Sequence, residues 1–70
     1  MEFEEIIREI RKNLNITQEQ LAKELNVSFS TINRWENGHT SPSKLAKIRL
    51  LEFCNTRNVD TLIISELDKY

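Results

Sequence analysis

The positions of the apolar residues predict a chain built from helices. Apolar side chains recur at every third or fourth position along most of the sequence, which is typical of amphipathic helices and unlike the strict alternation of strands. The pattern predicts helices over residues 3–13, 18–25, 29–36, 42–54 and 59–67. The expected fold class is therefore all-α, with five helices packed as one compact bundle.

Polar residues at the boundaries of these segments indicate where the helices begin and end. Thr17 with Gln20 forms a capping-box pattern ahead of the second helix, and Ser28 is the expected cap of the third. Ser41 followed by Pro42 is the expected start of the fourth helix, because proline suits the first helical position. Helix ends are predicted at residues that tolerate left-handed backbone, namely Asn15, Asn26 and the pair Asn37-Gly38.

The segment 17–38 is the most informative part of the chain, and it indicates two short helices joined by a three-residue turn. Its apolar residues are spaced to meet in one interior: Leu21, Ala22, Leu25, Val27, Ile32 and Trp35. Six other residues are left facing outward: Gln18, Ser28, Phe29, Ser30, Asn33 and Arg34. This is the layout of a helix-turn-helix, in which one helix braces the phosphate backbone of DNA and the other enters the major groove.

The last two predicted helices carry apolar residues on more than one face. In the fourth helix the inward-facing set is expected to be Leu45, Ile48 and Leu51, joined by Leu50, Phe53 and Cys54. The fifth helix offers Leu62, Ile63, Ile64 and Leu67, which is more apolar surface than one terminal helix needs. An apolar surplus of this kind marks an interface, so these four residues are expected to contact a second copy of the chain.

Length, charge and cysteine content narrow the picture further. Seventy residues make one small domain, expected to span residues 1–70. The net charge of −1 argues against a strongly basic surface, yet residues 8–49 hold eight cations and four anions, a balance of +4. The remaining residues hold two cations and seven anions, a balance of −5, which fits an electropositive face and an acidic back. The single Cys54, the acidic amino terminus and the absence of a long apolar run predict a cytoplasmic protein without an internal disulfide.

Four stretches of the sequence together resemble the Cro/C1-type (XRE-type) phage-repressor helix-turn-helix family. They are Ile7-x-x-Ile10-Arg11, Thr-Gln-Glu-Gln-Leu-Ala at 17–22, Val-Ser-x-Ser-Thr-Ile at 27–32 and Arg-Trp-Glu-Asn-Gly at 34–38. The resemblance is strongest over residues 6–55 and implies a lambda-repressor-like bundle. Residues 56–70 are expected from their own apolar pattern to form a fifth helix and a dimer contact. The resemblance also implies that Arg11 pairs with Glu36, tying the first helix to the end of the third.

Two sets of candidate DNA contacts follow from the resemblance and from side-chain chemistry. Base contacts are expected from Phe29, Ser30, Asn33 and Arg34. Asparagine and arginine can pair bidentately with adenine and guanine, and phenylalanine can meet thymine methyl groups. Phosphate contacts are expected from Thr17, Gln18, Ser28, Asn37, His39, Thr40, Ser43 and Lys44. Structural alternatives stay open: Phe29 can pack against the second helix, Arg34 can form a surface ion pair, and His39 can be solvated.

The expected function is sequence-specific binding of double-stranded DNA at an inverted-repeat operator by a homodimer that regulates transcription, as a repressor in preference to an activator. The alternative is a DNA-targeting or antitoxin-like interaction module of a larger system. A degenerate helix-turn-helix that mediates only protein contacts is disfavoured by the intact pattern of polar outward residues. An enzyme is disfavoured because the one histidine and the one cysteine lie 15 residues apart in segments of different kinds. No cofactor, metal, membrane or small-molecule substrate is expected.

Overall fold

A computed structural model describes residues 1–38 and 40–70 as five α-helices. They are α1 (Phe3–Leu14), α2 (Gln18–Leu25), α3 (Phe29–Glu36), α4 (Lys44–Thr56) and α5 (Thr61–Asp68). The predicted all-α, five-helix fold is confirmed, and the bounds of α2 and α3 agree with those expected from the sequence. None of these helices is both long enough and apolar enough to cross a membrane.

The helices begin where a side chain can satisfy a free backbone N–H group. Thr17 accepts from the N–H of Gln20 while the Gln20 side chain accepts from the N–H of Thr17, which completes the expected capping box. Ser43 accepts from the N–H of Ala46 at 3.1 Å, so α4 begins at Lys44. The expectation that Ser41 and Pro42 open this helix is therefore wrong, because the hydroxyl that caps it belongs to Ser43.

Three asparagines end or connect helices in the left-handed backbone conformation, where most side chains are strained. Asn15, Asn26 and Asn58 have φ values of 55°, 56° and 56°. Asn58 belongs to the turn before α5, and Asp60 then caps this helix by accepting from the N–H of Leu62 at 2.9 Å. The fifth helix consequently begins at Thr61, two residues later than expected.

The core draws residues from all five helices. The side chains that are completely buried are Ile6, Ile7, Ile10, Leu21, Ile32, Leu50, Cys54 and Leu67. Phe3 and Trp35 close one side of this core with ring centroids 5.5 Å apart in an edge-to-face arrangement. Burial also raises the pKa of the Cys54 thiol to about 11, so Cys54 behaves as a small apolar core residue.

The fourth helix faces the core with a different side from the one expected. Leu50 and Cys54 are buried, and Leu51 and Phe53 are half-buried. Leu45 and Ile48 are instead 59% and 44% exposed, so their assignment to the interior is wrong. Leu45 and Ile48 lie roughly opposite Leu50 on a helix of 3.6 residues per turn, and the helix cannot bury both sides against one small core.

The first and last helices lie against each other, and this contact joins the two ends of the described chain. The Met1 ammonium lies 2.9 Å from a Glu66 carboxylate oxygen, and the Tyr70 hydroxyl donates to the Met1 carbonyl at 3.0 Å. The Phe3 and Tyr70 rings are 5.7 Å apart. At the other end of α1, Asn13 accepts from the N–H of Asp60 at 3.2 Å. The α1–α5 contact is therefore fixed at both ends of α1.

Candidate nucleic-acid interface

Several residues expected to contact DNA lie close together at the start of α2, along α3 and at the start of α4. The Asn33 amide donates to the Gln18 side-chain oxygen at 3.4 Å, which joins α3 to the start of α2. The Asn37 amide donates to the Asn33 oxygen at 2.9 Å. Arg34 lines one surface depression together with Thr40 and Ser43. The fold thus brings residues from separate parts of the sequence to a single polar surface.

The four candidate base-contacting residues differ in accessibility. Ser30 and Arg34 are exposed, Asn33 is half-buried, and Phe29 is 48% exposed. None of the acidic side chains described by the structure pairs with Arg34, so its guanidinium can reach an external ligand. Three of the four side chains are therefore open to a partner along α3, and the fourth is held by Gln18.

Phe29 borders an open cleft between α2 and α3. The cleft has a volume of about 520 Å³, and its walls include Thr17, Ala22, Lys23 and Val27. The phenyl ring is therefore partly exposed to solvent in a cleft that also contains Ala22 of α2. This position suits both packing against α2 and contact with a thymine methyl group.

The three capping hydroxyls are used within their own helices. Ser28 accepts from the N–H of Thr31 at 3.1 Å, and its hydroxyl lies 2.9 Å from the Thr31 hydroxyl. Thr17 and Ser43 cap α2 and α4 in the same way. The first two N–H groups of each helix remain without an intrahelical acceptor. These amides, supported by the positive end of the helix dipole, are the groups best placed to bind phosphate.

The segment after α3 provides the remaining candidate phosphate contacts. Asn37 is exposed at the end of α3, Thr40 is half-buried, and Lys44 is exposed in the first turn of α4. His39, which was also expected to contact phosphate, lies outside the described residues. Gly38 has a φ of 74°, a conformation that favours glycine. A Cβ atom at Gly38 would also displace the carboxylate end of the flexible Glu4 side chain, so the backbone conformation is the main reason for glycine there.

Glu36 lies behind this surface and is held by two arginines of α1. Arg11 donates to both carboxylate oxygens, at 2.5 Å from Nε and 2.8 Å from Nη2. Arg8 donates to the Glu36 carbonyl and lies 4.0 Å from the carboxylate. Glu36 is only 4% exposed, and this burial alone would raise the pKa of its carboxyl group. Hydrogen bonds from Arg11, with the charges of both arginines, outweigh burial and lower that pKa.

The sequence prediction omitted three residues that lie on this surface. Thr31 pairs with the Ser28 hydroxyl, and Thr31 and Ser41 line the depression that contains Arg34. Lys23 lines the cleft beside Phe29. Thr31 could have been identified from its position three residues after Ser28, which places the two hydroxyls together at the start of a helix. The sequence gives no comparable signal for Ser41.

The four residues expected at a dimer interface do not share one exposed face. Leu62 is 75% exposed, whereas Ile63 and Ile64 are half-buried against the core. Leu67 is completely buried, so its assignment to a partner contact is wrong. Leu67 follows Leu62 by five residues, which is more than one helical turn, so Leu67 lies on the side of α5 that faces the core. Leu62 is therefore the main apolar side chain that α5 offers to a partner.

Known proteins similar to this chain include regulators and one enzyme. The sequence matches the helix-turn-helix family over residues 7–61. It is 35% identical over 66 residues to the HTH-type transcriptional activator BcrR of Enterococcus faecalis, matching 94% of this chain and 32% of that protein. It is 35% identical over 63 residues to an uncharacterized HTH-type transcriptional regulator of Methanothermobacter thermautotrophicus, matching 90% of this chain and 91% of that protein.

A third relative is the Type II methyltransferase M1.ScrFI of Lactococcus lactis subsp. cremoris. The two sequences are 45% identical over 51 residues, which covers 69% of this chain and 13% of the methyltransferase. The chain thus spans about a third of the activator's length and about an eighth of the methyltransferase's. No solved structure matches the sequence.

Proposed function

Because the chain belongs to the Cro/C1-type (XRE-type) helix-turn-helix family, we propose that it binds double-stranded DNA and regulates transcription. The observation that carries this proposal is the polar surface formed by the start of α2, the length of α3 and the start of α4. Its exposed Arg34 and half-buried Asn33 lie on the helix that follows the three-residue turn. In a helix-turn-helix, that second helix reads base edges in the major groove.

The chemistry of the groups on this surface indicates which of them contact bases and which contact phosphates. Arg34 and Asn33 have the donor and acceptor groups needed to read guanine and adenine, and Ser30 lies beside them at the start of α3. The free N–H groups at the starts of α2 and α4 suit phosphate oxygens on either side of the groove. Lys44 adds charge at the start of α4. Phosphate contacts of this kind fix the register of the protein, whereas the α3 side chains select the sequence.

We further propose that two copies bind an inverted-repeat site. Leu62 is 75% exposed on α5 and is the kind of apolar side chain that self-association would cover. A two-fold dimer would present two copies of α3, about 34 Å apart, to successive major grooves. Repression by occlusion of a promoter requires only this DNA contact, so we propose a repressor. We also propose a cytoplasmic location, because such a regulator must reach the DNA that it binds.

A second candidate function is DNA targeting within a larger protein. The 45% identity to a segment covering 13% of a methyltransferase favours this alternative, because the same kind of domain there accompanies a much longer chain. Both functions require DNA binding, and they differ in what the bound domain recruits.

Selection from a pool of random duplexes tests the proposal directly. The protein should enrich an inverted repeat, and the Arg34→Ala variant should enrich it less strongly. A matched control is Lys69→Ala, because Lys69 pairs with Glu66 of α5 and is not part of α2, α3 or α4. Failure of the unmodified protein to enrich any sequence would refute DNA reading. Enrichment of a single half-site bound by one protomer would refute the dimer and favour the targeting function.

A further inference from the structure

Asn37, at the end of α3, is the one asparagine of this chain that is followed by glycine. Each of the other six asparagines precedes a residue with a larger side chain. A side chain on the following residue hinders attack of its backbone nitrogen on the asparagine amide, and glycine has no side chain. Asn37 and Gly38 are both exposed. The least hindered of these pairs therefore lies on the surface, where water can reach it.

The two groups that react in such an attack are each restrained by one hydrogen bond of the described structure. The Gly38 N–H group donates to the Trp35 carbonyl at 3.3 Å, which is a long hydrogen bond. The Asn37 amide nitrogen donates to the Asn33 side-chain oxygen at 2.9 Å. Both bonds lie at the exposed end of a helix, where local opening costs little free energy. Opening of this last turn frees the Gly38 nitrogen and the Asn37 amide together.

We propose that Asn37 is a site of deamidation, and that its conversion to a carboxylate weakens DNA binding. In the first step the Gly38 nitrogen bonds to the side-chain carbonyl carbon of Asn37. The bond to the amide nitrogen breaks, and ammonia leaves with the proton of the Gly38 N–H group. Water then adds to one of the two carbonyl carbons of the resulting cyclic imide. The ring opens to aspartate or isoaspartate at position 37, and water is the only co-reactant.

The effect on DNA binding rests on the proposed function and follows from the surroundings of Asn37. Asn37 is a candidate phosphate contact, and a carboxylate in its place repels phosphate. A carboxylate only accepts hydrogen bonds, so it faces the Asn33 oxygen with no proton between them. Asn33 escapes this repulsion only by rotating its amide, which removes its hydrogen bond to the Gln18 oxygen. One conversion therefore disturbs a phosphate contact and a candidate base contact.

Ageing of the full chain in mildly alkaline buffer tests the chemical step. Cyclisation is faster there, because the attacking nitrogen must lose its proton. Peptide mass mapping should locate the conversion of amide to acid at Asn37 before any conversion at the other six asparagines. Glutamine cyclises more slowly than asparagine, since its ring is larger. Asn37→Gln should therefore remain unconverted at this position over the same period.

Competition binding on the selected duplex tests the effect of the new charge. Asn37→Asp should bind about tenfold more weakly, because it loses a phosphate contact and adds a repulsive charge. A matched control is Asn55→Asp, which adds the same charge at an exposed asparagine in the last turn of α4. The control should bind less than about twofold more weakly, because salt screens distant exposed charges. The aged protein should lose affinity in proportion to its converted fraction, whereas aged Asn37→Gln should keep the affinity that it had before ageing.

Each outcome supports or overturns the inference. Earlier conversion at another asparagine, or no conversion at Asn37, overturns the modification site. Conversion without a change in affinity, or equal losses in Asn37→Asp and Asn55→Asp, overturns the effect on DNA binding. If the fresh protein selects no duplex, the proposed function fails and this effect fails with it, while mass mapping still decides whether Asn37 is modified. Circular dichroism shows whether Asn37→Asp remains folded, and unfolding would overturn a local effect on the surface.

Discussion

Replacing Glu36 with glutamine should lower the free energy of unfolding by about 2 kcal/mol. Breaking a buried ion pair by removing one partner costs about 3–5 kcal/mol when the other charge is left without water. Here the Glu36 side chain is 5% exposed, but that of Arg11 is 25% exposed and that of Arg8 is 50% exposed. Both guanidinium groups can therefore recover hydration, and glutamine keeps one acceptor oxygen. We therefore expect the decrease in the free energy of unfolding to be smaller than the loss of about 3–5 kcal/mol for a fully buried pair.

Thermal unfolding followed by circular dichroism measures this loss. For a domain of this size, about 2 kcal/mol corresponds to a decrease in Tm of roughly 10 °C. The matched control is Glu19→Gln, because Glu19 is an exposed glutamate in the first turn of α2. The control should change stability by less than about 0.5 kcal/mol. Equal melting temperatures for the two variants would refute the view that the Arg11–Glu36 pair holds α1 against α3.

The pH dependence of stability provides an independent check of the same pair. The pKa of the Glu36 carboxyl is lower in the folded protein than its ordinary value of 4.5. The folded state therefore favours the ionised form, and the resulting stability is fully present above pH 4.5. It is lost as the pH falls from that value through the folded-state pKa. The difference in stability between the unmodified protein and Glu36→Gln should shrink over the same interval, and a constant difference would contradict the lowered pKa.

Three further predictions concern separate parts of the molecule. Arg34→Ala should weaken binding to the selected duplex by about 1–3 kcal/mol and relax one base pair per half-site, measured by competition with mutated duplexes. Leu62→Ser should leave Tm nearly unchanged because Leu62 is 75% exposed, while analytical ultracentrifugation should show weaker self-association. Gly38→Ala should lower stability by about 1–3 kcal/mol in a thermal melt, whereas Asn26→Gly, also at a positive φ, should cost much less. Unchanged self-association or an unchanged melt would contradict the second and third predictions respectively.

The start of the fourth helix shows what sequence patterns cannot decide. Ser41 followed by Pro42 and Ser43 followed three residues later by Ala46 are both acceptable starting signals. Only one hydroxyl can accept from the first free N–H groups, and in the structure it is that of Ser43. The helices that Thr17 and Ser28 open begin where expected.

The orientation of α4 could not be predicted for a related reason. Its apolar residues occupy most of the helix circumference, so their spacing selects no single buried face. The face that packs is decided by α2 and α5, which contact α4 in the fold. Leu67 was misassigned in the same way, because a run of apolar residues does not reveal which one meets the core. The hydrogen bond between Asn33 and Gln18 was also beyond prediction, since it joins side chains 15 residues apart.

The contacts of Met1 with Glu66 and Tyr70 make the two ends of the described chain neighbours in space. A short flexible linker from Tyr70 to Met1 would therefore span little distance, and new termini could be opened between the exposed Arg57 and Asn58. Such a circular permutant would begin with the last helix and retain every helix contact described above. The order of the helices along the gene is thus separable from their arrangement in space, and the polar surface of α2, α3 and α4 depends on the arrangement.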